Sequence, residues 1–352
     1  MNSKERVRTA LSFAEPDRVP VSAAYVPEIS KRLRTVVGDG EPDLGVALGN
    51  DLVLTAHGFA TGYYLEEDDE YYDEWGCKWK YFQNKTGSYP EIIERPLQDE
   101  TMLDSYRIPD PYIDSRYETS NEIIAQYGKD FWIVGAIPCS IFEAAWGLRG
   151  LDTLLMDMVC NKDFAHALMD KVMEFPLAAG QKLIDLGADM LWTGDDVAMQ
   201  TGMLMSPEMW REFLKPRYAA MFREFKRANP KIKLAYHCDG NCESILDEMH
   251  EIGLDVINPV QPACMNPAEI KKKYGKKLAL WGTMDIQRTL PFGTPGEVRA
   301  AVNKLIATCA AGGGFILAPA HNIQSDTSVE NIMEFYKAAR DYGGYPLAGH
   351  QD

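Results

Sequence analysis

The sequence predicts an α/β protein built as a (β/α)8 (TIM) barrel with an N-terminal helix and an inserted antiparallel excursion. Three observations lead there. From residue 131 onward, short apolar runs alternate six times with amphipathic helical patterns, the texture of parallel strands joined by crossover helices. Two earlier runs, 19–25 and 51–55, bring the strand count to eight. Nearly every run also empties into polar residues at its carboxyl end, where such a barrel carries its chemistry.

Taken in order, a helical pattern over 3–13 runs into Pro16-Asp-Arg-Val-Pro20, after which 19–25 reads as the first strand and 27–37 as a helix. The second strand, 51–55, ends just before His57. Between about 60 and 114 helical periods are scarce and tyrosines frequent, and the run Glu66-Glu-Asp-Asp-Glu70 reads as a solvated face, which together predict the antiparallel insertion. The remaining strands are expected near 131–136, 188–193, 232–237, 254–259, 278–282 and 314–319. The intervening helices fall at 151–185, broken near Pro176, then at 207–228, 243–252, 267–274, 294–311 and 328–342. Ser206-Pro207 and Thr294-Pro295-Gly-Glu297 are helix starts, with a capping hydroxyl followed by proline at the first helical position.

At 352 residues, 46% hydrophobic and 25% charged, the chain suits one globular domain spanning 1–352. A net charge of −16 argues against a nucleic-acid groove or an anionic membrane surface, both of which need clustered Lys and Arg. The expected partner is a small-molecule substrate, with a homodimer left open because nothing in the sequence fixes the oligomeric state. With no apolar stretch behind the first charges and no run of about 18 apolar residues, the expected location is cytoplasmic. Seven scattered cysteines, an odd number, read mostly as buried thiols in a reducing compartment.

The chemistry centres on the fifth strand, which breaks into His237-Cys238-Asp239-Gly240-Asn241. Side chains two apart in a strand share a face, so His237 and Asp239 are expected on one side and Cys238 on the other. The eighth strand delivers a further imidazole, His321. These three residues form a candidate zinc site with an open fourth position, since imidazole and carboxylate are ordinary zinc ligands. The alternative is that the histidines only hydrogen-bond a substrate or one another. Cys238 or Cys264 is a further candidate for the ligand shell. Asp195 and Asp196, after the fourth strand, are the candidate catalytic pair, one ionised and one with a raised pKa. Either one alternatively caps a helix or binds a backbone amide. Tyr25, His57, Asn258, Trp281, Gln287 and Asn322 sit at other strand ends as candidate substrate contacts.

These strand ends resemble the uroporphyrinogen decarboxylase superfamily. The resemblance rests on Gly194-Asp-Asp-Val-Ala-Met-Gln-Thr-Gly202 with Ser206-Pro207, His237-Cys-Asp-Gly-Asn241, Trp281-Gly-Thr-Met-Asp285 and Leu317-Ala-Pro-Ala-His-Asn-Ile323, and extends over nearly the whole chain. It implies a barrel carrying either cofactor-free decarboxylation of a tetrapyrrole or zinc-dependent methyl transfer with a corrinoid protein. The decarboxylases of that superfamily carry an arginine-rich motif after the first strand; here that place reads Ser22-Ala-Ala-Tyr-Val-Pro-Glu28, without arginine. The methyltransferase branch has His-x-Cys after the fifth strand and a cysteine after the eighth, where this chain has His237-x-Asp239 and His321. Replacing thiolates by carboxylate and imidazole makes a bound metal harder and suits an oxygen or nitrogen substrate. The resemblance therefore implies demethylation of a small O- or N-methyl compound, with the methyl passed to a corrinoid protein. The alternatives are a uroporphyrinogen-type decarboxylase and a non-catalytic barrel that binds a corrinoid or tetrapyrrole.

Overall fold

Residues 1–58, 70–84 and 87–347 are described by a computed structural model. Seven parallel strands form one sheet in the order Leu52–Ala56, Trp132–Ile137, Met190–Gly194, Lys233–His237, Val256–Asn258, Ala279–Trp281 and Phe315–Ile316. The chain is thus a TIM-barrel-like α/β fold, and all seven strands lie where their apolar runs predict. The expected first strand is different. Its segment lies between the first and last sheet strands without forming a continuous ladder, making isolated parallel bridges Val21 to Leu317 and Tyr25 to Ile323. Pro20 has no N–H to give, and side chains replace the missing partners. Asp51 Oδ2 accepts from Val21 N (2.9 Å), and the Asn50 amide bonds both the N–H and the C=O of Ala23 (3.0 and 2.9 Å).

Strand alternation divides the core in two. Leu52, Trp132, Val134, Met190, Ala235, Val256, Ala279, Trp281 and Ile316 point into the ring, while Val53, Ile133, Leu191, Leu234, Tyr236, Ile257, Leu280 and Phe315 face the outer helices. Val7 and Leu11, from the N-terminal helix Ser3–Ala10 and its end, join the inner set and plug the ring; burying each is worth roughly 1.5–3 kcal/mol. Positions 237 and 258 continue the inward parity of Ala235 and Val256, and this aims the site.

Ser206 caps the helix Pro207–Phe213 through Met209 N (3.2 Å), and Thr294 with Glu297 closes a capping box on Pro295–Cys309, as expected. Pro176 does not break its helix, which runs continuously over Lys162–Leu186. Proline removes one hydrogen bond there, yet Val172, Phe175, Ala178, Ala179 and Leu183 are all buried, and packing holds the two halves in line. At Gly180 a Cβ would meet the Phe225 ring at 2.4 Å, so glycine permits the close approach of the helix Lys215–Ala228. Leu44–Leu48, Glu118–Tyr127 and Phe142–Arg149 are helices that the periodicity did not reveal. The excursion is an antiparallel sheet of Glu70–Tyr72, Lys78–Asn84 and Gly87–Glu94. Glu70 is ion-paired with Lys78 and Lys80 (2.9 and 2.8 Å), while Glu66 to Asp69, like the start of the expected insertion, lie outside the described residues. Among the described residues no helix is long and apolar enough to cross a membrane.

Candidate metal centre

The parallel register sets Gly194, His237 and Asn258 side by side at the carboxyl rim. Beyond His237 the backbone is anchored at each step. Cys238 N donates to Asn258 O (2.9 Å), Asp239 N to Asp196 Oδ1 (2.7 Å) and Gly240 N to Gln261 Oε1 (2.8 Å). Gly240 has φ +88°, and a Cβ there would meet Met199 O at 2.5 Å, so this turn requires glycine. On the far side of the ring, Ala320 N donates to Met284 O (2.9 Å) and fixes the loop that presents His321. The rings of His237 and His321 come within 5.7 Å, centroid to centroid. One ligand atom from each of His237, Asp239 and His321 lies within 4.8 Å of the other two.

The electrostatics of this cluster are incomplete. Asp239 Oδ1 is buried without a hydrogen-bond partner among the described residues and stands 3.8 Å from His237 Nε2. Burial raises the Asp239 carboxyl above its usual range against the pull of both histidines, and burial lowers His321. A buried carboxylate oxygen without a donor is costly, and a cation among the three groups would satisfy it. Two imidazoles and one carboxylate with room for a fourth ligand match a catalytic zinc site, so the residues present fit that metal.

A narrow cavity of about 80 Å³ opens beside the cluster, lined by Leu54, Trp192, His237, Asn258, Trp281, His321 and Asn322 together with small residues of 22–24 and 318–320. Among the described residues its lining holds neither lysine nor arginine. Asp196 is at the rim, 41% exposed, with Oδ1 3.9 Å from His237 Nε2. The structure therefore gathers His237, Asp239, His321, Asp196, Asn258, Trp281 and Asn322.

The other candidates lie elsewhere. Asp195 points outward and is fully buried; it accepts hydrogen bonds from Ile141 N, Glu143 N and the Tyr218 hydroxyl, capping the helix Phe142–Arg149. That is its capping alternative, and no carboxylate oxygen remains for a substrate. His57 packs edge-on against Phe175 of the long outer helix, with Nδ1 on Gly58 O (3.1 Å). The Tyr25 hydroxyl is taken up by Tyr336, which also donates to Asn50. Gln287 is exposed in a turn held by Asp285. Cys238 is buried with Sγ against Asp239 O (3.3 Å), and Cys264 is turned to Gln261. Two residues gain importance. Trp192 forms a cavity wall, which its inward parity two places before Gly194 could have revealed. Glu143, whose carboxylate accepts from Asp196 N (3.2 Å), is pushed well above its usual range by burial and by the neighbouring Asp195 and Asp196.

A sequence profile described as uroporphyrinogen decarboxylase (URO-D) matches residues 73–342. The chain belongs to this family. Its curated relatives divide between two activities. Uroporphyrinogen decarboxylase of Trichodesmium erythraeum is 22% identical over 257 residues, 71% of this chain and 70% of the relative. A methylcobamide:CoM methyltransferase of Methanosarcina mazei is 24% identical over 258 residues, 72% of each. Among solved structures, a methyltransferase from Methanosarcina mazei superposes with a TM-score of 0.74 at 22% identity, covering 97% of this chain and 99% of the other, a likeness of fold.

Proposed function

We propose that this family member is a zinc-dependent methyltransferase that removes a methyl group from the oxygen or nitrogen of a small substrate and passes it to a corrinoid protein. The observation that carries this reading is the convergence of His237, Asp239 and His321 around the unpartnered Asp239 Oδ1. Zinc held by these three residues would act as a Lewis acid on the substrate heteroatom, which keeps the electron pair as the methyl departs. The cavity supports a small, uncharged reacting end: Trp192 and Trp281 give apolar walls and exclude water, and among the described residues the lining has no guanidinium or ammonium to pair with an acetate or propionate side chain. Asn322 lines the wall where a polar substrate atom would be oriented. Asp196, on the rim beside His237, and Glu143, holding its proton through burial, would bind and return the proton that the demethylated heteroatom requires.

Protein loaded with zinc and offered small methyl ethers and N-methyl compounds should methylate reduced cobalamin, and Asp239→Ala should lower that rate by about a hundredfold or more. Carbon dioxide release from uroporphyrinogen by metal-free protein, undiminished in Asp239→Ala, would replace this reading with the decarboxylase. Tight corrinoid or tetrapyrrole binding without turnover would replace it with the non-catalytic barrel.

A further inference from the structure

Asn258 is 7% exposed, and its side chain is committed at both ends. Its Oδ1 stands 2.8 Å from Trp192 Nε1 and 2.8 Å from His237 Nδ1, and its Nδ2 donates to Trp281 O at 3.0 Å. An indole N–H can only donate and a backbone carbonyl can only accept. The amide therefore has one permitted orientation, fixed by two neighbours that are not titratable. The atom facing His237 is an acceptor, so Nδ1 of the neutral ring must carry the hydrogen. Packing prevents the amide from turning away, because Gly282, at φ +91°, passes so close that a Cβ there would lie 3.1 Å from Asn258 Nδ2. The indole of Trp192 holds the imidazole edge-on, 5.0 Å between centroids.

We infer that Asn258, clamped between Trp192 and Trp281, is a positioning residue that fixes the Nδ1–H tautomer of His237 and turns the Nε2 lone pair toward Asp239 and His321. Nε2 is the ring atom 3.8 Å from Asp239 Oδ1. In the other tautomer a hydrogen would point into the cluster, and no ligand atom of His237 would face it. The tautomer follows from the contacts alone; its value for metal binding rests on the proposed function.

The test uses metal-free full-length protein labelled with 15N-histidine, at about pH 8.5, above the ordinary histidine range. Long-range 1H–15N correlations report which ring nitrogen is protonated, and His237→Gln identifies the His237 signals. The wild type should show Nδ1–H. Asn258→Leu should move His237 toward Nε2–H and weaken zinc binding by roughly 10- to 100-fold, whereas Asn258→Asp, which keeps the acceptor, should retain Nδ1–H. A wild-type His237 protonated at Nε2 overturns the inference, as does an Asn258→Leu variant whose tautomer or zinc affinity is unchanged. If Asn258→Leu does not fold, the wild-type spectrum and Asn258→Asp decide. Should the wild type show Nδ1–H yet bind no zinc, the tautomer assignment stands and the proposed function falls.

Discussion

Gly194 and His237 are register partners on neighbouring strands, and a methyl group on Gly194 would lie 2.1 Å from the His237 carbonyl oxygen. The backbone that carries the imidazole is thus seated against a residue that must have no side chain. Gly194→Ala should push the end of the Lys233–His237 strand outward and move Nε2 away from Asp239 and His321. A displacement of even 1 Å spoils a three-residue ligand set. Zinc affinity measured by chelator competition should fall by at least tenfold while far-ultraviolet circular dichroism stays close to wild type; unchanged affinity would show that the strand end tolerates the shift.

Zinc itself should stabilise the fold if it binds as proposed, because the three proposed ligands come together only in the native chain. At free zinc a hundred times the dissociation constant, the gain is about 2.7 kcal/mol. Thermal unfolding should shift upward with zinc for the wild type and not for Asp239→Ala or His321→Ala. An equal shift in all three proteins would locate the bound ion elsewhere.

Asp195 governs a pH dependence of different origin. Burial pushes its carboxyl up to about 6 from an ordinary 3.8, against the Tyr218 hydroxyl and the backbone amides that favour the charge. With the folded pKa above the unfolded one, the native state holds the proton more tightly. The stabilisation is complete below about pH 3.8 and is lost as pH rises through about 6. Asp195→Asn cannot titrate. It loses acceptor capacity at the helix start and should be less stable than wild type at pH 4, with the deficit shrinking by about 2 kcal/mol by pH 7. Urea unfolding across that range checks it, and a deficit independent of pH would remove Asp195 as the titrating group.

Much of this architecture was legible because apolar runs and strand parity are local. His237 and Asp239, two apart, share a face in the sequence and in the fold. His321 joins them because a ring of strands brings distant carboxyl ends to one rim. The same parity separates Asp195 from Asp196, sending one to the outer layer and the other to the mouth, yet as neighbouring carboxylates they look alike until the helix Phe142–Arg149 is known. Asn258 was legible as a polar strand end and illegible in role, since nothing local says whether an amide faces a ligand, an indole or an imidazole. Pro176 marks the opposite limit: the local rule is sound, and tertiary packing overrides it. The first strand fell between these cases. Its position follows from the Val19 to Tyr25 run, but its pairing through the side chains of Asn50 and Asp51 is a tertiary substitution that no periodicity encodes.

That substitution makes Asp51 the residue on which ring closure depends. Its side chain is fully buried and accepts from Ser3 Oγ, Arg6 Nη1, both terminal nitrogens of Arg18 and Val21 N, all within 2.7–2.9 Å. Arg6 is itself 9% exposed, and through it the N-terminal helix is tied to the closing segment. Removing the carboxylate leaves the Arg6 guanidinium without one of its two carboxylate partners in a buried setting and strips Val21 of its acceptor. Breaking a buried pair in this way costs about 3–5 kcal/mol, well above the fraction of a kcal/mol expected for an exposed one. Asp51→Ala should therefore lower the urea midpoint by that equivalent, and Asp51→Asn, which keeps an acceptor for Val21, by less. Asp51 precedes the strand Leu52–Ala56 and lies at the rim opposite His237, so folded Asp51→Ala should bind zinc as the wild type does. A small loss of stability would show that the bridges to Leu317 and Ile323 close the ring without it.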